Sequence, residues 1–331
     1  MKRTTFIIVT GLGTLGLLCA ARAAELSIYE IQYTVDVNGV SPQHGNIVDC
    51  RGGVVTHKRG GGRPRLIVQD PNFTHGWSAV QVKGWSRGIF DHVTVGDWVK
   101  LKNVMVEDFA GTTFLQYKQY EGRPAPELTI ASAGNSLPRP VVVEAGEIAA
   151  PTEGVDEWVV TGLDAEKYEA MLMEVVDVTV SDTGYGKAFD NYILASNVDP
   201  NHICWVSDYM NGDVDEIYHP LVQVGQEFCG VVGILEQYVG QSEGIYYDYY
   251  QLLTRGTEDF TMYRIADLDF DCDVDFDDFD RFARYWLDEG CHDAESCGGA
   301  DLIEGPVAGA VDALDLHEFA ERWLEGKRSD K

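Results

Sequence analysis

The chain has 331 residues, 45% hydrophobic and 11% aromatic, a composition typical of a globular protein with two or three domains. Its 54 acidic and 25 basic residues give a formal net charge of −29, which as an overall field opposes binding to nucleic acid and anionic membranes. No stretch after the first 23 residues is apolar and long enough to span a bilayer, so no transmembrane anchor is expected there.

Residues 1–23 have the pattern of a secretory signal peptide. Lys2 and Arg3 give a basic start, an apolar stretch follows, and Ala21 and Ala23 form a small-x-small cleavage site. We therefore expect a secreted, periplasmic or cell-surface protein.

Residues 24–145 predict a small β-barrel. Short β-rich runs alternate with clusters of Gly, Pro, Asn and Asp, without a long amphipathic helix between them. About five strands in roughly 100 residues are most economically arranged as an OB-fold. The predicted strands cover residues 47–48, 53–55, 65–69, 78–82, 98–101 and 113–117.

Residues 146–263 predict a second barrel of the same kind. A landmark supports the duplication, because Val95-Gly96-Asp97 and Val224-Gly225-Gln226 lie 129 residues apart, each just before a predicted strand. The second set of predicted strands covers residues 170–175, 192–195, 203–206, 227–233 and 247–253.

The first barrel holds the one basic cluster of the chain, between its first two predicted strands. OB-folds bind strands of nucleic acid or sugar through that loop and the neighbouring sheet face, and nearby tryptophans can stack on a base or a sugar ring. The alternative is a solvated loop, which the acidity of the remaining chain favours. The candidate ligand-binding residues are Lys58, Arg59, Arg63, Arg65, Trp77 and Trp85.

The charge is unevenly distributed between the two barrels. Residues 24–145 carry 12 acidic and 12 basic side chains, whereas residues 146–263 carry 22 acidic and 3 basic ones. Any affinity for nucleic acid is therefore expected in the first barrel alone. Two Gly-x-Ser-x-Gly sequences, at residues 84–88 and 240–244, are expected to be hairpin turns, because no helical pattern follows either serine.

Residues 267–278 have the oxygen-ligand spacing of an EF-hand-type calcium loop. Carboxylates occupy loop positions 1, 3, 5, 9 and 12, and a backbone carbonyl is available at position 7. An apolar helix face is predicted after the loop, from Phe279 to Leu287. The expected Ca²⁺ ligands are Asp267, Asp269, Asp271, Asp273, Asp275 and Asp278.

A second, damaged copy of this loop and helix follows 37 residues later. Asp301, Asp312 and Asp315 remain as candidate ligands, but no carboxylates stand at positions 3 and 5. We expect this loop to bind calcium weakly or not at all, since two charged ligands are lost.

Six cysteines after the leader favour disulfides in an exported chain. The preferred pairs are Cys272 with Cys291 or Cys297, and Cys204 with Cys229 across two strands, which leaves Cys50 without a partner.

Two family resemblances extend these predictions. Ser27-Ile28-Tyr29-Glu30-Ile31-Gln32, the run at residues 66–70 and Val95-Gly96-Asp97 resemble the OB-type module attached to secreted bacterial nucleases. The paired loop and helix at residues 264–327 resemble a type I dockerin, and the combination is similar to exported proteins of planctomycete-type bacteria.

The dockerin resemblance implies calcium-dependent folding and docking onto a cohesin-like or other cell-surface partner, usually in extracellular polysaccharide handling. Two departures stand out. Loop position 6, usually Gly, is Cys272. The positions that usually contact the partner are Phe276, Asp277, Ala313 and Leu314.

The expected fold is therefore mainly β, with two small OB-like barrels and a small all-α C-terminal dockerin-like calcium-loop and helix pair. The main functional interpretation is a secreted, non-catalytic binding protein with a calcium-dependent docking module, in extracellular polysaccharide handling, whose barrels bind a ligand that the sequence does not identify. One alternative is an accessory protein of an extracellular nuclease that binds single-stranded nucleic acid. Another is a glycoside-hydrolase-associated enzyme with an unrecognised site.

Overall fold

The computed structural model describes residues 25–36, 39–73, 75–109, 111–148, 152–155, 163–183, 191–207, 210, 222–242, 245–291, 296–303, 305 and 307–324. The predicted leader lies outside these residues. Within the described part of the chain, no helix is long and apolar enough to cross a membrane.

The first barrel is a closed ring of five strands, β2-β3-β4-β6-β5, in which β5 returns to pair with β2. The β4–β6 pair is parallel, and the other pairs of the ring are antiparallel. A capped helix, α1, packs beside it. The elements are β1 (Glu25–Leu26), α1 (Ile28–Gln32), β2 (Ile47–Arg59), β3 (Arg65–Gln69), β4 (Ala79–Gly84), β5 (Trp98–Phe109), β6 (Thr112–Tyr117) and β7 (Glu127–Ser132).

The second barrel repeats this arrangement as the ring β10-β11-β12-β14-β13, closed by the β13–β10 pair. Here too one pair, β12–β14, is parallel. Its elements are β8 (Val141–Val143), β9 (Thr152–Val155), α2 (Leu163–Glu166), β10 (Leu172–Thr183), β11 (Tyr192–Ser196), β12 (Ile203–Ser207), β13 (Glu227–Ser242), β14 (Ile245–Leu253) and β15 (Phe260–Thr261).

The same turn precedes the fourth ring strand of each barrel. Gly96 has a φ of 89°, and its amide donates to the Val55 carbonyl at 2.9 Å. Gly225 has a φ of 86°, and its amide donates to the Val180 carbonyl at 2.9 Å. Glycine suits both positions because a positive φ strains residues with a Cβ. Two small barrels with one strand order confirm the predicted mainly β fold.

The two faces of β3 pack into different hydrophobic cores. Leu66 and Val68 point into the core of the first barrel. Ile67 and Ala79, on the outer face of β3 and β4, are fully buried in the core of the second barrel. The outer face of these two strands is therefore covered by the neighbouring barrel.

Polar contacts complete the interface between the barrels. Arg65 Nη1 donates to Glu236 Oε1 at 2.8 Å, and Gln81 Nε2 donates to the same oxygen at 3.1 Å. The Leu172 amide donates to Gln69 Oε1 at 3.1 Å. These bonds satisfy side chains that the interface removes from water.

A buried acidic pair lies at another part of the interface. The Thr113 amide, in the first barrel, donates to both carboxylate oxygens of Glu169, at 3.0 and 3.2 Å. Burial and the neighbouring Glu166 raise the pKa of Glu169 well above its usual value. Glu166 itself accepts a hydrogen bond from the Tyr250 hydroxyl at 2.8 Å.

The C-terminal module is an internal duplicate built on helices α3 (Phe276–Arg284) and α4 (Ala313–Glu321). Asp278 accepts from the Leu268, Asp269 and Asp275 amides at 2.6, 3.1 and 2.7 Å. Asp315 accepts from three amides in the same pattern, at 2.8, 3.0 and 2.7 Å. Both carboxylates are fully buried, so each loop is organised around one aspartate.

The helices end earlier than the apolar pattern predicts. Leu287 lies beyond α3 with a φ of 68°, and its amide donates to the Val311 carbonyl at 3.0 Å. Leu324 has a φ of 65° and donates to Val274 at 2.9 Å. These reciprocal bonds tie the two halves together, and this tertiary pairing overrides the continuation of the helical pattern to Leu287.

The disulfide expectations need correction. Cys291 pairs with Cys297, at a Cα–Cα distance of 5.4 Å. Cys204 and Cys229 do not pair, because β12 has β11 and β14 as neighbours whereas Cys229 lies on β13. Cys272 pairs with neither Cys291 nor Cys297 and is buried, as is Cys50.

Candidate functional site

A cluster of cations surrounds Trp85 on the first barrel. Lys83 belongs to β4, Trp85 follows this strand, and Lys118 follows the neighbouring strand β6. Arg63 reaches the same ring from the β2–β3 loop. The distances to the ring centroid are 5.4 Å from Arg63 Cζ, 5.3 Å from Lys83 Nζ and 4.7 Å from Lys118 Nζ. We call these four residues the Trp85 surface.

The pairing of β4 with β6 explains why these residues meet. The strands are parallel, with Lys83 opposite Gln116 and Gly84 opposite Tyr117, so their ends emerge side by side. Trp85 Nε1 donates to Gln116 Oε1 at 2.7 Å, and Gln116 Nε2 donates to Glu107. The indole is therefore held in one orientation, while 39% of the residue stays exposed to solvent.

Further aromatic rings extend the Trp85 surface. Lys83 Nζ also lies 5.6 Å from the Phe109 ring and 5.0 Å from the Phe114 ring. Phe109 is 62% exposed, which is unusual for a phenylalanine at the end of a strand. Lys118 Nζ lies 5.5 Å from the Tyr120 ring.

The electrostatics of this surface are positive. The pKa of Lys83 is lowered by partial burial and then by Arg65 and Arg63, against an opposing effect of Glu107. Because Arg65 and Arg63 disfavour the charged form of Lys83, the local field at Lys83 favours an anion. An anionic ligand would relieve that repulsion.

The sequence-predicted ligand residues are divided among several places. Arg63 and Trp85 meet at the Trp85 surface, whereas Arg65 turns to Glu236 in the barrel interface. Lys58 Nζ donates to the Val93 carbonyl at 2.7 Å, and Arg59 is the last residue of β2.

Trp77 lies apart from the Trp85 surface, in a second aromatic group. Its ring meets Tyr33 edge-on at 5.8 Å. Tyr29 stacks on Tyr33 at 5.2 Å and on Phe73 at 5.8 Å.

Lys83 and Lys118 were missed from the sequence. A signal for them existed, since each stands at the end of a predicted strand with alternating residues. The missing information was that β4 and β6 are neighbours, which only the closed ring establishes.

The second barrel presents aromatic rings in a different setting. Trp205 is only 8% exposed and packs on Tyr249 at 4.4 Å, and Tyr249 contacts Tyr238 at 5.3 Å. Tyr238 alone of the three is largely exposed, at 45%. This group therefore consists mainly of packed side chains.

The first C-terminal loop brings carboxylates together. Oxygens of Asp267, Asp269 and Asp278 lie within 4.8 Å of one another, and so do oxygens of Asp273, Asp275 and Asp278. Burial raises the pKa of Asp267 to about 6, and the negative charges of Asp278 and Asp271 act in the same direction, against the hydrogen bond from the Cys272 amide.

The donor set fits a calcium ion. All the converging side-chain atoms are carboxylate oxygens, the ligands that a hard cation prefers. Asp269 Oδ1 is buried without a hydrogen-bond partner, as expected of an atom that a cation would coordinate. Asp271 instead accepts from the Asp273 amide at 3.1 Å and belongs to neither group.

The second loop differs. Among the described residues, Asp301, Asp312 and Asp315 form no comparable carboxylate group. Asp312 caps α4 by accepting from the Leu314 amide at 2.7 Å, and Asp315 organises the loop backbone.

Comparisons with known proteins give only distant similarities. No protein-family model and no curated protein matches the sequence. Solved structures similar to this chain include the tetrameric p202 HIN2 at 7% identity and a TM-score of 0.28, covering 64% of this chain and 95% of that one. The Ifi202 HINa domain in complex with 20-bp dsDNA matches at 10% identity and 0.27, covering 64% and 92%.

Fission yeast Pot1 with ssDNA matches at 10% identity and a TM-score of 0.26, covering 69% of this chain and 89% of that one. TM-scores this far below 0.5 carry no functional inference to this chain. The candidate sites are therefore judged on their own geometry.

Proposed function

We propose that the protein is a binding protein whose first barrel binds single-stranded nucleic acid at the Trp85 surface. The observation that carries this proposal is the convergence of three cations, Arg63, Lys83 and Lys118, within 5.4 Å of the centroid of an exposed indole. Proteins that bind single strands combine cations for the phosphates with aromatic rings on which bases stack.

This proposal selects the accessory-protein interpretation over neutral polysaccharide as the ligand of the first barrel. A neutral sugar gains from stacking on a tryptophan but has no charge for three cations to neutralise. An anionic polysaccharide shares the charge yet lacks a flat aromatic base. Nucleic acid supplies both features, and each phosphate contact releases condensed counterions.

The test is binding of a fluorescein-labelled single-stranded oligonucleotide to the full chain, followed by fluorescence anisotropy. The variant R63Q/K83Q/K118Q removes the three cations of the Trp85 surface. The control R51Q/K100Q/K102Q removes three cations of the same barrel that pair with Glu30, Glu25 and Glu127.

We expect the first variant to lose binding and the control, which has the same net charge, to keep most of it. Equal losses would show that the overall charge of the barrel, and not this site, attracts the ligand. A polyuronate that displaces the oligonucleotide at equal charge concentration would instead identify an anionic polysaccharide as the ligand.

We also propose that the first C-terminal loop binds one Ca²⁺ ion. Asp267, Asp269, Asp275 and Asp278 would hold it, and an oxygen of Asp273 would complete the ligand set. The ion would offset the mutual repulsion of these carboxylates and stabilise the loop. The carboxylate convergence and the unbonded Asp269 oxygen support this proposal.

Calorimetric titration with calcium tests this proposal. D269N preserves the shape of the side chain and removes the charge of the unbonded oxygen, whereas D301N makes the same change in the second loop. Calcium uptake should weaken at least tenfold in D269N, since a charged ligand is lost, and stay near wild type in D301N. Equal uptake by both variants would exclude the first loop as the site.

The docking role belongs with this second proposal. The resemblance to a type I dockerin motivates a cohesin-like or cell-surface partner for an exported protein, and the duplicated helices α3 and α4 carry the residues at the positions that usually contact the partner. This role rests on the sequence resemblance, and Phe276, Leu314 and Leu316 are exposed on the helices that would meet the partner.

A further inference from the structure

Two cysteines from different parts of the chain meet between the second barrel and the C-terminal module. Cys229 lies on β13 and is fully buried, and Cys272 lies in the first acidic loop and is 8% exposed. Their Sγ atoms and an Asp267 carboxylate oxygen all lie within 4.8 Å of one another. The spacing of the cysteines in the sequence gives no sign of this meeting.

The backbone at Cys272 adds an independent observation. Its φ is 76°, in the left-handed region that favours glycine. The conformation is fixed on both sides, because the Cys272 amide donates to Asp267 at 2.9 Å and its carbonyl accepts from Arg264 at 2.8 Å. A side chain that occupies a glycine position against this strain points to a role for its thiol.

We propose that Cys229 and Cys272 form a disulfide that ties the second barrel to the acidic loop. One thiolate attacks a disulfide donor, such as a disulfide oxidoreductase or oxidised glutathione, breaks its S–S bond, releases one donor sulfur as a thiolate and forms a mixed disulfide with the other. The other thiolate displaces the donor's remaining thiol. One S–S bond forms, two S–H protons leave, and two electrons reduce the donor to its dithiol form.

The two sulfurs are close neighbours. A disulfide bond is about 2.05 Å long, and the two Sγ atoms already lie within 4.8 Å of each other. The same module holds the Cys291–Cys297 disulfide, so it is compatible with an oxidising compartment.

A thiophilic metal is the competing occupant of this position. Structural zinc usually takes four nitrogen or sulfur ligands, whereas two thiols and one carboxylate converge among the described residues. The position therefore fits a disulfide better, and the proposal is independent of the ligand of the first barrel.

Peptide mapping of the full chain tests the proposal. The protein is oxidised with glutathione disulfide, denatured, alkylated and digested with trypsin and a glutamate-specific protease. Without reduction, the peptide of residues 228–236 should be linked to that of residues 265–281. Cleavage after Glu227 separates Cys229 from Cys204, so the link is unambiguous.

The Cys291–Cys297 disulfide serves as the internal control for oxidation. If it is closed while Cys229 and Cys272 are both alkylated, the proposal is overturned. One equivalent of zinc in the purified protein that disappears in C229S would also overturn it, in favour of a metal site.

Thermal unfolding provides a second readout. C272G removes the thiol and relieves the positive φ, and C204A removes a buried thiol that has no such partner. Wild type and C204A should lose several degrees of Tm on reduction, whereas C272G should lose clearly less, because only Cys291–Cys297 remains to be reduced. An equal loss in all three proteins would contradict the cross-link.

Discussion

The two barrels share one strand order and one closing turn but present different chemistry. In the first, cations lie at the ends of β4 and β6 around an exposed indole. In the second, Trp205 is buried and packs on Tyr249. Residues 24–145 are electrically neutral overall, whereas residues 146–263 carry 22 acidic and 3 basic side chains. The two barrels therefore share a scaffold and differ in the side chains at the ends of their ring strands.

The barrels also differ in which of their faces remain exposed. The outer face of β3 and β4, a ligand-binding face in many OB-folds, is covered in the first barrel by the second. The Trp85 surface lies beyond the covered region, at the end of β4 and next to β6. The second barrel thus covers part of this outer face and leaves the Trp85 surface exposed.

The largest expected effect concerns the joint between the barrels. Arg65 and Glu236 form an ion pair at 2.8 Å with side chains only 14% and 9% exposed. R65A leaves the Glu236 charge buried and short of a partner, which should lower the free energy of unfolding by roughly 3 kcal/mol. Urea unfolding followed by fluorescence measures this change.

R51A is the matched control, since Arg51 pairs with Glu30 at 2.8 Å with both side chains about half exposed. Exposed pairs contribute at most about 1 kcal/mol. If R65A lowers the free energy of unfolding no more than R51A does, the ion pair between Arg65 and Glu236 does not stabilise the joint between the barrels.

Arg65 also shows where prediction from sequence ends. Along β3, Leu66 and Val68 lie inside the barrel, and Arg65 lies outside it. Its place in the basic cluster made Arg65 a candidate ligand residue, because nothing in the sequence tells which outer face a second barrel covers. Strand positions follow from local patterns, whereas surfaces depend on contacts between distant segments.

The acidic loop gives a contrasting case. Its ligand spacing is local, so the carboxylates that converge could largely be named from the sequence. The role of Asp278 and Asp315 as acceptors for three backbone amides each could not, since these bonds depend on the folded loop. The meeting of Cys229 with Cys272 also required the structure, because it joins two domains.

The second prediction separates the two tryptophans of the first barrel. W85A should weaken oligonucleotide binding by about 1–3 kcal/mol, the typical value of one base–aromatic stack, with little change in stability. W77A should leave affinity unchanged, because Trp77 lies with Tyr33 away from the cations. Anisotropy titrations at one fixed salt concentration compare the variants, and equal losses would show that the Trp85 surface is not the stacking site.

The third prediction concerns the buried acid at the interface. The pKa of Glu169 is raised by burial and by Glu166, so the folded protein holds a proton that the unfolded chain releases near its ordinary pKa of 4.5. This contribution to stability is fully present below pH 4.5 and is lost as pH rises towards the folded pKa. Wild-type stability should therefore fall with rising pH in this window.

E169Q should remove that dependence and raise stability at neutral pH by about 1 kcal/mol, since a neutral amide of the same shape avoids burying a charge. The exposed E127Q provides the control. Thermal unfolding between pH 4 and pH 8 measures both variants. A pH profile of E169Q that matches wild type would show that Glu169 does not titrate in this range.

The smallest expected effect tests whether the contrast between the barrels is local or global. Lys118 is exposed and lies 4.7 Å from the Trp85 ring centroid, where its ammonium can reach a phosphate of a stacked strand. K118A should weaken binding by about 0.5–1 kcal/mol and lower the salt dependence of log K by about one, because one fewer counterion is released. K102A makes the same charge change on the same barrel, but Lys102 lies beside Glu127, 3.8 Å away. Anisotropy titrations at several salt concentrations give both slopes. If the slope of log K against log salt falls equally in K102A, the overall charge of the first barrel attracts the nucleic acid. If it falls in K118A alone, the phosphates bind at the ends of β4 and β6, which the closed ring brings together.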